Sequence, residues 1–133
     1  MVSLKTVRAS NALLSSSPGL TVVFAGATSG IGLAVLKTLA KYGNAPKAYI
    51  IGRSLQKFQP HLDELKSLNP EGAWVFLEAQ ITSLNETKRA CEEIKSKESK
   101  VDVLCLSPGY LTFNSQIEGL HISASVSIQY SRP

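Results

Sequence analysis

A glycine-rich segment is the part of this chain whose residue types and spacing are best suited to chemistry. Residues 26–32 read GATSGIG, with an apolar run before them and an amphipathic helical pattern after them. A strand, a tight turn and a helix N-terminus leave several backbone N–H groups without intrahelical partners, and the helix dipole adds partial positive charge there. The segment therefore predicts a phosphate site, in which Gly26 makes the turn, Gly30 admits the ligand and Gly32 lets the helix pack closely on the sheet.

The elements that position this segment follow from the alternation of apolar and amphipathic runs. Apolar runs predict strands at 21–25, 48–51, 73–77 and 101–106, and amphipathic runs predict helices at 31–42, 55–68 and 84–96. Right-handed crossovers through such helices give an α/β fold, a partial doubly wound parallel sheet in the order 3-2-1-4 with helices on both faces. Ligands of such sheets bind beyond the carboxyl ends of the strands, at the switch between strands 1 and 4. The glycine segment lies there.

The alternation of predicted strands and helices, which covers only the middle of the chain, divides the sequence into three parts. Residues 1–19 are expected to be a lead-in to the first strand, and residues 20–110 a nucleotide-binding half-domain. Residues 111–133 are an atypical tail, because no fifth strand follows the fourth. The outer edge of the fourth strand is then unpaired, which predicts self-association or pairing with a fuller homologue through that edge.

The charge of the chain favours an anionic ligand. Residues 1–62 contain seven bases and no acid, whereas the remaining residues contain ten acids and seven bases. A basic N-terminal half attracts a phosphorylated ligand. Nucleic acid ranks well below a nucleotide, because the bases are dispersed and no basic–aromatic recognition motif is present. No apolar run approaches the roughly 20 residues that a bilayer-spanning helix needs, so no membrane partner is expected.

The cysteines and histidines predict neither a disulfide framework nor a metal site. Cys91 falls in a helical pattern and Cys105 in an apolar run, which predicts that both are small, buried or half-buried side chains. His61 and His121 stand alone in the sequence. A reduced, cytoplasmic protein without a metal ion is the expectation.

The stretch from Ala25 to Gly32 resembles the short-chain dehydrogenase/reductase family, in which it usually reads T-G-x-x-x-G-I-G. The resemblance covers roughly residues 20–122 and implies a Rossmann-like domain that binds a nicotinamide dinucleotide. It places the pyrophosphate against Gly26, Gly30, Ile31 and Gly32, and it assigns Thr28 and Ser29 of the same segment to cofactor binding. Residues 1–32, 52–54 and 118–121 are most similar to fungal members associated with secondary-metabolite clusters, which implies oxidation or reduction of a polyketide- or terpenoid-like alcohol or carbonyl.

The residues after the second strand predict that the cofactor is NADP. Gly52 occupies the position where family members that bind NAD carry an acidic residue, and Arg53 and Ser54 follow it. A guanidinium grips a 2′-phosphate through two parallel hydrogen bonds, and the serine hydroxyl adds a donor. The alternative for Arg53 is a solvated loop residue, since arginines are usually exposed.

Two later positions are assigned to the adenosine side of the cofactor, although both stretches depart from the family pattern. Gln80 stands where the family generally has an aspartate, and its amide still offers an acceptor and donors. Gly109 is retained from the family's N-N-A-G stretch, which here reads Ser107-Pro108-Gly109-Tyr110.

The Tyr-x-x-x-Lys pair that transfers the proton at the substrate oxygen in the family is absent from these residues, so no catalytic residue is assigned. The positions four places after the first three tyrosines hold Pro46, Arg53 and Asn114, and only three residues follow Tyr130. The leading hypothesis is an NADP-dependent oxidoreductase of this family that is truncated before its catalytic residues and inactive alone. The alternatives are a non-catalytic, partner-dependent nucleotide-binding module and a truncated gene-model product whose reading frame shifts near His121.

Overall fold

The computed structural model describes residues 2–108. Its four strands and four α-helices, numbered in chain order, alternate after an N-terminal helical segment. The elements are α1 (Leu4–Ala12), a short 3₁₀ helix (Leu13–Ser15), β1 (Thr21–Ala25), α2 (Gly30–Tyr42), β2 (Lys47–Gly52), α3 (Leu55–Leu68), β3 (Ala73–Glu78), α4 (Leu84–Lys97) and β4 (Val103–Leu106). The alternation predicted from the sequence between residues 21 and 106 is confirmed.

The strands form one parallel sheet in the order β3-β2-β1-β4, which is the predicted order. β1 pairs with β2 on one side and with β4 on the other, so the chain reverses its direction of winding after β3. All four strands are parallel, and their carboxyl ends therefore meet at one edge of the sheet. The turns that leave β1, β2 and β3 lie at that edge.

Two apolar layers hold the helices on opposite faces of the sheet, because successive strand residues point to opposite sides. One layer joins the sheet to α2 and α3 through Phe24, Leu36, Ile50, Phe58 and Leu65. The other joins the sheet to α4 through Val23, Tyr49, Leu77, Ala90 and Ile94. The β1 and β2 residues are buried almost throughout, as expected for central strands that are covered on both faces.

Charged groups fix the opposite, amino-terminal edge of the sheet. The Asp102 carboxylate accepts a hydrogen bond from the Thr21 backbone N–H at 2.9 Å, and the Lys100 ammonium donates to it at 2.8 Å. The Lys100 hydrogen bond is the main cause of a lowered pKa for Asp102. The Asp102 N–H in turn donates to the Thr21 carbonyl at 2.8 Å. β4 begins at Val103, two residues later than the predicted Val101.

The lead-in holds a helix that the sequence pattern did not predict, and one sequence-based expectation is wrong. The lead-in contains a helix, α1, whose N-cap Ser3 hydroxyl accepts from the Thr6 N–H at 3.1 Å, and none of its residues is buried. Cys91 is exposed on α4 instead of buried or half-buried, whereas Cys105 is partly buried as expected.

Among residues 2–108, no helix combines the length and the apolar character that crossing a bilayer requires.

Candidate cofactor site

The glycine segment makes a turn that only glycine adopts without strain at two of its positions. Gly26, the first residue after β1, has a φ of 86°, and Gly30, the first residue of α2, has a φ of 59°. L-amino acids with a Cβ rarely adopt such positive φ values. A Cβ on Gly30 would meet no atom within 4 Å, so the backbone at the start of α2 is open to a ligand.

Close packing explains two of the three glycines. A Cβ on Gly26 would lie 2.3 Å from the carbonyl oxygen of Ser107, just beyond β4, so the turn rests directly on the end of that strand. A Cβ on Gly32 would lie 2.7 Å from the Gly26 oxygen and 2.8 Å from the Ala27 Cα. Gly32 therefore brings α2 against the turn itself, and not simply against the sheet as the sequence suggested.

The N-terminus of α2 leaves its first-turn amides without a side-chain cap. Ser29 is its N-cap residue, but the Ser29 hydroxyl accepts no hydrogen bond from the helix, and the first turn holds no acidic residue. The other three α-helices of residues 2–108 all begin with a serine that caps them, namely Ser3, Ser54 and Ser83. Ser29, Gly30 and Ile31 are exposed, Ile31 to 81%. An anion could therefore reach the free amides of this helix.

Arg53 and Ser54 lie between the end of β2 and the start of α3. Arg53 is exposed, and Ser54 caps α3 by accepting from the Lys57 N–H at 3.4 Å. That bond uses a lone pair of the Ser54 oxygen and leaves its hydroxyl proton available for another acceptor. Gly52, just before them, is buried against the side chains of Thr28 and Phe76.

Gln80 follows β3, at the same edge of the sheet. Its side-chain amide donates to the Thr82 hydroxyl at 2.9 Å, which leaves the side-chain carbonyl oxygen as an acceptor. Its backbone N–H donates to the Glu86 carboxylate at 2.7 Å. Gln80 is exposed and lines a wide, open groove of about 410 Å³ that Arg53 also lines.

The groove includes charged residues that the sequence analysis did not assign to the site, Glu78, Glu86 and Arg89. The Glu78 carboxylate accepts from the Leu55 N–H at 3.2 Å, and the Arg89 guanidinium donates to the Glu78 carbonyl at 3.0 Å. Glu78 is the last residue of β3 and lies one residue beyond the strand predicted at 73–77, so the sequence did not mark it as part of the site. Arg89 comes from the helix after β3, and no sequence motif marks it.

The predicted residues of the segments 26–32, 53–54 and 80 thus follow the carboxyl ends of β1, β2 and β3, on one edge of the sheet. Gly109, the remaining predicted residue, lies outside the described residues, as does the 111–133 tail. The arrangement offers free helix amides at α2, a guanidinium at the end of β2 and an amide side chain after β3. These groups suit a ligand that carries phosphate groups at one part and an adenosine at another.

Known proteins share both the sequence pattern and this fold. The family described as short chain dehydrogenase matches residues 20–126. The oxidoreductase AN1596 of Emericella nidulans is 43% identical over 123 residues, which cover 90% of this chain and 37% of that protein. This chain thus spans well under half the length of that relative.

Solved structures give the same result. A short-chain type dehydrogenase/reductase from Mycobacterium ulcerans matches with a TM-score of 0.57 and 27% identity, covering 65% of this chain and 31% of that one. The L-sorbose reductase of Gluconobacter frateurii, solved as a complex with NADPH and L-sorbose, shares the fold with a TM-score of 0.62 at 21% identity, covering 74% and 36%. With its fold, its glycine turn and the family match in agreement, this chain belongs to the short-chain dehydrogenase family.

Proposed function

We propose that this chain binds NADP(H) at the carboxyl edge of its sheet and forms the cofactor-binding half, residues 20–110, of an oxidoreductase. The observation that carries the proposal is the start of α2, where uncapped amides follow a turn with two glycines at positive φ. A pyrophosphate carries negative charge and several acceptor oxygens, which match the free N–H groups and the positive end of the helix dipole.

The pyrophosphate is assigned to the turn and the first residues of α2. The two glycines at positive φ, Gly26 and Gly30, shape the turn, and Gly32 allows α2 to approach it. Thr28 and Ser29 would donate from their hydroxyl groups, since Ser29 does not use its hydroxyl to cap the helix. Ile31, which is largely exposed, would be covered by the bound dinucleotide.

The 2′-phosphate is assigned to Arg53 and Ser54. Arg53 is exposed, and within residues 2–108 no hydrogen bond or ion pair holds its guanidinium. The Ser54 oxygen caps α3 by accepting from the Lys57 N–H, so its hydroxyl proton would be free to donate to the same phosphate. NADPH is the cofactor in the solved complex of L-sorbose reductase, which has the same fold and supports this choice. Gln80 and Gly109 are assigned to the adenosine.

The reaction we propose for the complete enzyme is reversible hydride transfer between NADP and a carbonyl/hydroxyl pair. When bound, the cofactor supplies the hydride. The Tyr-x-x-x-Lys pair that the family uses for proton transfer does not occur in these 133 residues, so we expect this chain alone to bind the cofactor without turnover. The similarity to fungal oxidoreductases supports a role in secondary metabolism, and we place the protein in the cytoplasm.

Calorimetric titration of the 133-residue chain with NADPH tests the proposal. We expect saturable binding with one site per chain, and we expect Arg53→Ala to weaken it about tenfold, as the loss of a hydrogen bond to a charged group does. Lys57→Ala is the matched control, because Lys57 is an exposed base on the first turn of the same helix and is not assigned to the site. Absence of NADPH binding by the folded wild-type chain would overturn the proposal.

A further inference from the structure

The position that carries an acidic residue in NAD-binding members of this fold is sterically closed in this chain. A Cβ on Gly52 would lie 2.6 Å from Thr28 Cγ2 and 2.7 Å from Phe76 Cζ. The Phe76 ring is held in place, since it stacks on Phe58 with ring centroids 5.1 Å apart and Phe58 is buried. An aspartate at position 52 would therefore force the Thr28 side chain to rotate and the stacked Phe76 ring to shift, which costs packing energy.

A carboxylate stands beside this closed position, on the neighbouring strand. Glu78 is the last residue of β3 and pairs directly with Gly52, the last residue of β2. Its side chain crosses toward α3, because the carboxylate accepts from the Leu55 N–H at 3.2 Å. Glu78 and Arg53 line the same groove. The part of the groove that we assign to the adenosine ribose therefore has one acidic side chain, Glu78, and one basic side chain, Arg53.

We propose that Glu78 is a specificity-determining residue, which supplies from β3 the carboxylate that Gly52 cannot carry. The inference rests on the proposed function, since it concerns the same cofactor site. In this arrangement Glu78 accepts a hydrogen bond from the 2′-hydroxyl of NAD(H), and Arg53 pairs with the 2′-phosphate of NADP(H). The chain then accepts both cofactors, with a preference much weaker than that of a site with Arg53 alone.

Two properties of Glu78 weaken the binding of a 2′-phosphate at this groove. Its negative charge repels a phosphate placed between α3 and Arg53, by an amount that solvent in the open groove reduces. Its carboxylate also takes the N–H of Leu55, which an anion at the start of α3 would otherwise use. A ribose hydroxyl carries no charge and can donate to the same carboxylate, so NAD(H) gains where NADP(H) loses.

Titration of the wild-type chain with NADPH and with NADH is the first test. We expect dissociation constants within about tenfold of each other, because the attraction of Arg53 and the repulsion of Glu78 are both interactions of exposed charges. A preference for NADPH above about a hundredfold would overturn the inference, since it exceeds what such charges allow when they oppose each other. This measurement needs no variant.

The Glu78→Gln substitution is the second test, with Glu71→Gln as the matched control. The glutamine retains an oxygen for the Leu55 N–H, so α3 keeps this contact, and Glu71 is an exposed glutamate before β3, at the other edge of the sheet. We expect Glu78→Gln to tighten NADPH binding about threefold to fivefold and to weaken NADH binding by a similar factor. Glu71→Gln should change neither.

The outcomes separate the inference from the proposed function. Equal changes for the two dinucleotides in Glu78→Gln would overturn the role of Glu78 and leave NADP(H) binding intact. If the folded wild-type chain binds neither dinucleotide, the proposed function fails and this inference fails with it. Opposite changes in the two affinities, absent in Glu71→Gln, would support both.

Discussion

Gly32 packs so closely on the glycine turn that a Cβ atom added to it would lie 2.7 Å from the carbonyl oxygen of Gly26. Both groups belong to the backbone or are fixed to it, so neither can rotate away. The contact joins the first turn of α2 to the end of β1. It therefore sets the position of the free helix amides relative to the sheet edge.

Substitution of Gly32 by alanine is expected to destabilise the fold and to weaken cofactor binding together. The added methyl group must push α2 away from the turn, which costs about 1–3 kcal/mol in a packed interior. Urea denaturation would measure the loss, with Ala34→Val as the control. Ala34 is exposed on the same helix, so its added bulk costs only helix propensity, about 0.5 kcal/mol. Equal unfolding midpoints for Gly32→Ala and wild type would contradict the close packing.

Ser54 and Ser83 are two helix caps of the same hydrogen-bond length, and only Ser54 is assigned to the cofactor site. Each hydroxyl accepts from a backbone N–H three residues later, at 3.4 Å in both cases. Replacing either serine by alanine should lower the free energy of unfolding by about 1 kcal/mol. Only Ser54→Ala should also weaken NADPH binding, because only Ser54 follows β2. If calorimetry shows the same NADPH affinity for both variants, Ser54 is a cap and nothing more.

The architecture could be predicted from sequence because it depends on local patterns. Short apolar runs separated by helical patterns fix the alternation, and right-handed crossovers limit the strand order. The helix α1 was missed because none of its residues is buried, so it carries no core-facing periodicity. Its formation depends on the Ser3 cap and on backbone hydrogen bonds.

The candidate site was predictable only where a motif marks it. The 26–32 turn and the Arg53–Ser54 pair follow from spacing along the chain. Glu78 belongs to the site because the register between β2 and β3 sets it opposite Gly52, and the sequence does not show that register. The closure of position 52 by Thr28 and Phe76 depends on side-chain packing between three elements, and no local pattern encodes that packing.

A buried tyrosine on the other face of the sheet predicts a loss of stability at alkaline pH. The Tyr49 hydroxyl donates to Glu98 at 2.6 Å, and burial, together with this carboxylate, raises the pKa of Tyr49 from 10.0 to about 12. Above pH 10 the unfolded chain ionises this phenol while the folded chain keeps its proton, so ionisation favours unfolding. The free energy of unfolding should therefore fall as the pH rises from about 10 to about 12.

Tyr49→Phe should flatten this alkaline decline, because phenylalanine has no proton to lose. Tyr42→Phe is the control, since Tyr42 is 47% exposed and makes no hydrogen bond to Glu98. Urea midpoints at neutral pH and across the alkaline range would compare the three proteins. A decline of the same slope in Tyr49→Phe and in wild type would show that another group causes it.

The outer side of β4 predicts that this chain associates with itself. Among residues 2–108, β4 pairs only with β1, and its side chains Val103 and Leu104 are 43% and 39% exposed. Exposed apolar residues beside unpaired strand donors and acceptors favour the addition of another strand. Size-exclusion chromatography with light scattering should therefore give a mass above 14.3 kDa that rises with concentration. Leu104→Lys should lower this apparent mass, because a charge on an edge strand opposes pairing.

Leu84→Lys is the matched control, since Leu84 is 71% exposed at the start of α4, away from this edge. A wild-type chain that stays monomeric at every concentration would exclude β4 as an association surface.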